Sequence, residues 1–127
     1  MTRVLVVDDQ PDVVELLCVL LTRSGHDCMT AGSGGEAIEV AASFAPEVVL
    51  LDIGLPDMTG YAVARALRAT AGGTALYIAA LTGYGAAEDR KLSHEAGFDR
   101  HLLKPVKGAA IAELLSEAAT RRSGHGA

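Results

Sequence analysis

Short apolar stretches rich in valine, leucine and isoleucine alternate along the chain with longer stretches that carry helix signals. Nearly continuous apolar runs are typical of strands that are covered by helices on both faces. Three runs are strong and two are weaker, and together they predict five strands. The predicted strands lie at residues 3–7, 27–30, 47–51, 75–81 and 100–103.

The stretches between these runs carry helix start signals. Pro11 suits the first position of a helix. Ser33 and Glu36 stand three residues apart, as in a capping box. Thr59 or Gly60 opens a third helix that ends near residue 69, and a fourth is predicted at residues 86–96. A fifth is indicated by apolar residues at helical spacing, namely Ile111, Leu114, Leu115 and Ala118.

Five strands that alternate with five helices predict an α/β domain built around a parallel sheet. Right-handed crossovers favour a single doubly wound five-stranded sheet with helices on both faces. We expect the flavodoxin-like strand order 2-1-3-4-5. The pattern contains no linker and no internal repeat, so one domain is predicted at residues 1–120, followed by a flexible tail at residues 121–127.

Composition and net charge argue against several classes of function. The chain has 127 residues, 50% of them apolar, and 11 Lys and Arg against 16 Asp and Glu give a formal charge of −5. This balance argues against a nucleic-acid-binding surface and against a membrane-surface helix. No apolar run reaches the ~18–20 residues of a spanning helix, and no export signal is evident. We therefore expect a cytoplasmic protein, with Cys18 and Cys28 as two buried thiols rather than a disulfide framework.

Polar residues gather where the predicted strands end. Asp8 and Asp9 follow the first strand, Asp52 the third, Thr82 the fourth and Lys104 the fifth. In the expected strand order these four ends are contiguous, so the side chains share one cleft at the carboxyl edge of the sheet. One lysine cannot neutralise three carboxylates, so either a pKa is raised or a cation binds. Hard oxygen ligands favour Mg²⁺.

Four stretches of the chain, from about residue 2 to residue 117, resemble the motifs of response-regulator receiver domains of two-component signalling. They are Val6-Val7-Asp8-Asp9, residues 49–60 with the sequence VLLDIGLPDMTG, Ala80-Leu81-Thr82-Gly83, and Lys104-Pro105.

This resemblance implies a set of site residues. Asp52 would accept a phosphoryl group from a phosphohistidine donor. Asp9, Asp52 and the main-chain carbonyl of Gly54 would ligate Mg²⁺, with Asp8 helping through a bound water. A further implied set binds the phosphoryl group or shapes that edge of the site: Thr82, Lys104 and the cis proline Pro105.

The resemblance also implies partners and an activity class. The donor would be a histidine kinase or a histidine phosphotransfer protein, and two copies would pair through the face of the fourth helix, fifth strand and fifth helix. The domain would bind no nucleic acid and insert in no membrane. It would not be a classical enzyme, although it would catalyse its own Mg²⁺-dependent phosphorylation.

Two positions depart from the usual pattern. His101 stands where the family usually has an aromatic residue on the fifth strand, and its imidazole either fills that pocket or titrates. Together with the run Gly83-Tyr84-Gly85, it is more typical of receivers attached to hybrid histidine kinases. Gly54 and Tyr84 flank the line along which water would attack, and neither is acidic or an amide. We therefore predict slow autodephosphorylation, with Tyr84 restricting the access of water.

Three other interpretations are compatible with parts of the sequence. Gly32, Gly34 and Ala37 fit the G-x-G-x-x-A fingerprint of nucleotide-binding enzymes, and Asp52 lies twenty residues further on. A phosphoaspartate-forming hydrolase of the haloacid dehalogenase type would need a second acid two residues after its nucleophile, and Gly54 stands there instead. A phosphate-independent interaction module with the receiver fold is the third.

Overall fold

The computed structural model describes residues 2–70, 73–83 and 90–125 of the chain. Within these residues, strands and helices alternate from the first strand to the last helix, as the apolar pattern predicts. The elements are β1 (Arg3–Val7), α1 (Pro11–Arg23), β2 (Asp27–Ala31), α2 (Gly34–Phe44), β3 (Val48–Asp52), α3 (Gly60–Arg68), β4 (Tyr77–Thr82), α4 (Arg90–Ala96), β5 (Arg100–Leu103) and α5 (Gly108–His125).

The five strands form one parallel sheet in the order β2-β1-β3-β4-β5. Two apolar layers cover it. On one face, α1 and α5 pack against alternate residues of the central strands, with Leu17 and Leu114 among the fully buried side chains. On the other face lie α2, α3 and the end of α4, where Val63, Leu67 and Ala96 are buried. The predicted doubly wound fold and strand order are confirmed.

Local capping signals explain where α2 and α3 begin. Ser33 caps α2, because its hydroxyl accepts the N–H of Glu36 at 3.2 Å, while the Glu36 carboxylate accepts the N–H of Gly32 at 2.8 Å. Thr59 caps α3 in the same way, accepting the N–H of Ala62 at 3.2 Å. These side chains satisfy amide groups that a helix start leaves without partners.

Two boundaries differ from the prediction by more than one residue, and a third cannot be compared within the described residues. β4 begins at Tyr77 rather than at residue 75, because residue 75 belongs to a 3₁₀ turn at Gly73–Ala75. The described part of the fourth helix begins at Arg90, and residues 86–89 lie outside the described residues. α5 continues to His125, five residues into the predicted tail. The alanine-rich first part of α5 favours helix. The flexibility of that tail stays a prediction.

The expectation of two free thiols is wrong. Cys18 and Cys28 are joined by a disulfide, with 5.7 Å between their Cα atoms. α1 packs against β2 at this point and brings the two side chains face to face, within the usual Cα separation of a disulfide. Sequence spacing could not show this, since it depends on how the helix is oriented over the edge strand.

Reducing this disulfide is expected to lower the free energy of unfolding by about 2–3 kcal/mol, because the ten-residue loop it closes restricts the unfolded chain. Urea unfolding with and without a phosphine reductant measures the difference. The Cys18→Ser/Cys28→Ser double variant is the control, because the reductant should leave its midpoint unchanged. A wild-type midpoint that does not move on reduction would contradict the prediction.

Candidate functional site

Four adjacent strands deliver their polar residues to one edge of the sheet, as predicted. Asp8 and Asp9 follow β1, and Asp52 is the last residue of β3. One ligand oxygen from each of these three carboxylates lies within 4.8 Å of the others. Lys104 follows β5 and reaches into the same cluster. The topology thus converts residues far apart in sequence into one acidic cleft.

Lys104 pairs with two of the carboxylates. Its Nζ lies 2.6 Å from Oδ2 of Asp8 and 3.5 Å from Oδ2 of Asp52. Asp8 is 1% exposed, and its other carboxylate oxygen accepts the N–H of Gln10 at 2.9 Å. A buried carboxylate needs such partners because desolvation disfavours its charge. Lys104 therefore compensates the most deeply buried charge of the cluster.

Asp52 has a carboxyl group whose pKa is raised above its ordinary value. Burial is the main cause, and the negative charge of Asp8 adds to it. The N–H of Gly54, 3.2 Å from Oδ1 of Asp52, and the ammonium of Lys104 act in the opposite direction. The ionised form of Asp52 thus lacks full compensation from the protein's own groups.

The donor set fits Mg²⁺. Three ionised carboxylates and one ammonium leave two negative charges uncompensated in the cluster. All the ligand atoms are hard carboxylate oxygens, and Asp9 is exposed, which suits an ion that keeps several of its waters. Gly54, predicted to ligate through its main-chain carbonyl, lies two residues beyond Asp52 in an exposed loop.

Thr82 and Pro105 complete the edge of the cleft. The Thr82 hydroxyl is buried and donates to the carbonyl of Leu102 on the neighbouring strand at 3.3 Å. The carbonyl of Thr82 in turn accepts the N–H of Lys104 at 2.7 Å. The peptide bond between Lys104 and Pro105 is cis, as the resemblance implies.

His101 belongs to β5, and its side chain lies against α4. Its Nε2 is 2.9 Å from the hydroxyl of Ser93, which is almost completely buried on α4. The imidazole also packs against the ring of Phe98, with 6.1 Å between the ring centroids. The His101 side chain therefore packs between strand and helix, and its role stays a prediction. Tyr84, the predicted water shield, lies outside the described residues.

Asp57 lies in the loop after Asp52, and the sequence motifs predict no role for it. Its two carboxylate oxygens accept the N–H groups of Gly34 and Gly35, at 2.8 and 2.9 Å, at the start of α2. These two bonds hold the pKa of Asp57 below its ordinary value. Asp57 thus occupies the helix terminus on which the nucleotide-binding interpretation would place a phosphate.

The comparisons with known proteins agree with this geometry. The model of the family described as response regulator receiver domain matches residues 4–116. The chain belongs to this family. This family consists of signalling phosphoacceptor domains of response regulators and not of classical enzymes.

Relatives of this receiver domain are response regulators. It is 38% identical over 105 residues to the transcriptional regulatory protein KdpE of Mycobacterium tuberculosis, and 39% identical over 105 residues to the DNA-binding response regulator MtrA of Mycolicibacterium smegmatis. Each match covers 83% of this chain but 45% of the relative. The chain therefore spans less than half the length of the curated relatives it matches.

Solved structures give the same fold. The chemotaxis protein CheY4 of Vibrio cholerae has a TM-score of 0.87 and 26% identity, and the match covers 93% of this chain and 98% of that one. A CheY-like receiver domain of Methanospirillum hungatei has a TM-score of 0.87 and 26% identity, covering 98% of both chains. Among the described residues, no helix combines the length and the apolar character needed to cross a bilayer.

Proposed function

We propose that Asp52 accepts a phosphoryl group from a phosphohistidine, in a step that requires Mg²⁺, and that the phosphoaspartate switches the face formed by β4, α4 and β5. The donor is a histidine kinase or a histidine phosphotransfer protein. The observation that carries the proposal is the placement of the Asp52 carboxylate at the carboxyl edge of the sheet, beside two further carboxylates and the ammonium of Lys104.

The reaction forms one bond and breaks another. A carboxylate oxygen of Asp52 attacks phosphorus, the P–N bond of the donor breaks, and its electron pair stays on the imidazole nitrogen. Attack by one anion on another depends mainly on positioning and charge neutralisation. Asp8, Asp9, Asp52 and the Gly54 carbonyl would hold Mg²⁺, which when bound supplies positive charge beside the phosphoryl oxygens.

Lys104 and Thr82 carry the switch. The Lys104 ammonium lies 3.5 Å from Asp52 and, on its long stem, can exchange a carboxylate for a phosphoryl oxygen. The Thr82 hydroxyl must leave the Leu102 carbonyl to donate to the phosphoryl group. That change pulls the loop after β4 towards Asp52 and shifts α4, which His101 contacts through Ser93.

The proposal also includes the lifetime of the phosphoaspartate. Neither Gly54 nor Tyr84 offers an acid or an amide that would orient a water, so autodephosphorylation is slow.

Two copies pair through the face of α4, β5 and α5, where Leu103 is 56% exposed. The domain works in the cytoplasm, and with its charge of −5 it is not itself the nucleic-acid-binding unit.

The test is the intact mass of the chain after incubation with acetyl phosphate, with and without Mg²⁺. One added phosphoryl group that requires Mg²⁺ is expected. Borohydride reduction of the acyl phosphate to the alcohol, followed by peptide mass mapping, should place the group at Asp52. If neither an adduct nor binding of the phosphate mimic beryllofluoride is detected, the proposal is overturned and a phosphate-independent interaction module takes its place.

Lys104→Met is expected to tighten the binding of Mg²⁺ by about tenfold. Removing a partly screened unit charge a few ångströms from the carboxylates changes the binding energy by about 1–2 kcal/mol. Calorimetric titration with MgCl₂ measures the effect. Lys107→Met is the matched control, because Lys107 is exposed and follows Lys104 by three residues. Unchanged or weaker binding in Lys104→Met would show that the ammonium does not compete with the cation.

A further inference from the structure

The side chain of Asp57 ties the loop that follows Asp52 to the start of α2. Asp57 accepts hydrogen bonds from two consecutive N–H groups, those of Gly34 and Gly35, at 2.8 and 2.9 Å. These are charge-assisted bonds at the positive end of a helix, where a carboxylate is favoured. The neighbouring Met58 lies so close over Gly34 that a Cβ there would fall 2.2 Å from its Cγ. The loop is therefore held against the start of α2.

The loop is also closed at its own base. The N–H of Gly60 donates to the carbonyl of Ile53 at 2.8 Å, and Gly54 pairs with Thr59 in an antiparallel bridge. Asp57 lies in the segment between the two bridged residues. A displacement of Asp57 is thus passed to Gly54, because Asp57 lies three residues from Gly54 in a short segment that the Gly54–Thr59 bridge closes.

We propose that Asp57 is a positioning residue for the metal site. By anchoring the loop on α2, it holds the main-chain carbonyl of Gly54 in the orientation that Mg²⁺ requires. The inference builds on the proposed function, in which that carbonyl is a ligand. Asp57 itself does not contact the ion, because both of its oxygens are bonded to α2.

The test is calorimetric titration with MgCl₂ alone, without a phosphoryl donor, at about 0.15 M salt, where charges beyond ~8 Å are largely screened. The variants are Asp57→Ala and Asp57→Asn. Asp57→Ala removes both acceptors, whereas Asp57→Asn keeps one carbonyl oxygen. We expect Mg²⁺ affinity to fall about tenfold in Asp57→Ala, as on loss of an outer partner of a metal ligand. The Mg²⁺ affinity of Asp57→Asn should lie between those of the wild type and Asp57→Ala.

Two controls separate positioning from simpler effects. Ser33→Ala removes another hydrogen bond at the same helix terminus but leaves the loop anchored. Asp12→Asn removes an exposed charge in the first turn of α1, three residues after Asp9. Both should bind Mg²⁺ like the wild type. If Ser33→Ala weakens binding as much as Asp57→Ala, helix stability explains the effect. If Asp12→Asn weakens binding as much as Asp57→Ala, the change in net charge explains the effect. Each of these two results would overturn the positioning role of Asp57.

The proposed function and this inference fail in different ways. If the wild type does not bind Mg²⁺, the proposed metal site is wrong. If the wild type binds and Asp52→Asn does not, while Asp57→Ala binds like the wild type, only the role of Asp57 is overturned. Circular dichroism shows whether Asp57→Ala is folded. Should it be unfolded, Asp57→Asn decides the question, and wild-type affinity in that variant overturns the inference.

Discussion

Asp52→Asn is expected to abolish phosphoryl uptake and, at neutral pH without Mg²⁺, to raise the free energy of unfolding. Uptake is lost because an amide cannot form the acyl phosphate. Stability rises because the pKa of Asp52 is raised in the folded protein, chiefly by burial and also by Asp8. The ionised carboxylate therefore costs stability at neutral pH, and this cost disappears as the pH falls through the raised pKa. The amide oxygen can still accept the N–H of Gly54.

Intact mass after incubation with acetyl phosphate measures the first effect, and urea unfolding at pH 7 in a chelating buffer measures the second. Asp27→Asn is the matched control, since Asp27 is exposed at the start of β2, far from the carboxylate cluster. It should be phosphorylated like the wild type. A phosphorylated Asp52→Asn variant would mean that another carboxylate is the acceptor. A lower free energy of unfolding would mean that the pairing with Lys104 outweighs the cost of burial.

The strands and the acidic cluster could be predicted from the sequence because both depend on local patterns and on general rules of topology. A run such as Val4–Val7 reports burial on both faces through its composition alone. Once the strand order is expected, Asp8, Asp52 and Lys104 must meet, since parallel strands end at the same edge. The cluster therefore required no knowledge of how particular side chains pack.

The anchoring contacts could not be predicted in this way. The disulfide depends on the orientation of α1 over β2, and the bonds of Asp57 depend on where its loop meets α2. The disulfide joins two consecutive elements, whereas the bonds of Asp57 join residues 22 and 23 positions apart. In each case the local sequence signal has a simpler explanation. Asp57 reads as an ordinary turn residue. Such contacts depend on packing at the level of individual atoms, which spacing does not record.

Arg68, the last residue of α3, makes several contacts of this kind. Its guanidinium donates to three main-chain carbonyls, those of Gly73, Leu76 and Gly97. It also pairs with Asp99, with 2.7 Å between Nη2 and Oδ2. The same Asp99 oxygen accepts the N–H of Ile78 at 2.8 Å. One side chain thus joins the end of α3 to the start of β4 and to the turn before β5.

Arg68→Met is expected to lower the free energy of unfolding by about 3–5 kcal/mol. The substitution keeps an apolar stem but removes the guanidinium donors from these partly buried carbonyls and from Asp99. The free energy of unfolding of Arg68→Lys should lie between those of the wild type and Arg68→Met, because one ammonium cannot match the planar fork of five donors. Arg65→Met is the matched control on the same helix, since Arg65 is exposed, and it should change the free energy of unfolding by less than about 0.5 kcal/mol.

Mg²⁺ affinity separates this effect from damage to the acidic site. Arg68 meets β4 at its amino end, whereas Thr82 and the carboxylate cluster lie at the carboxyl end of the sheet. The folded Arg68→Met variant should therefore bind Mg²⁺ like the wild type, although it unfolds at lower urea. A loss of less than about 1 kcal/mol would mean that water replaces the guanidinium at these carbonyls. Weakened Mg²⁺ binding would mean that the two ends of the sheet are coupled.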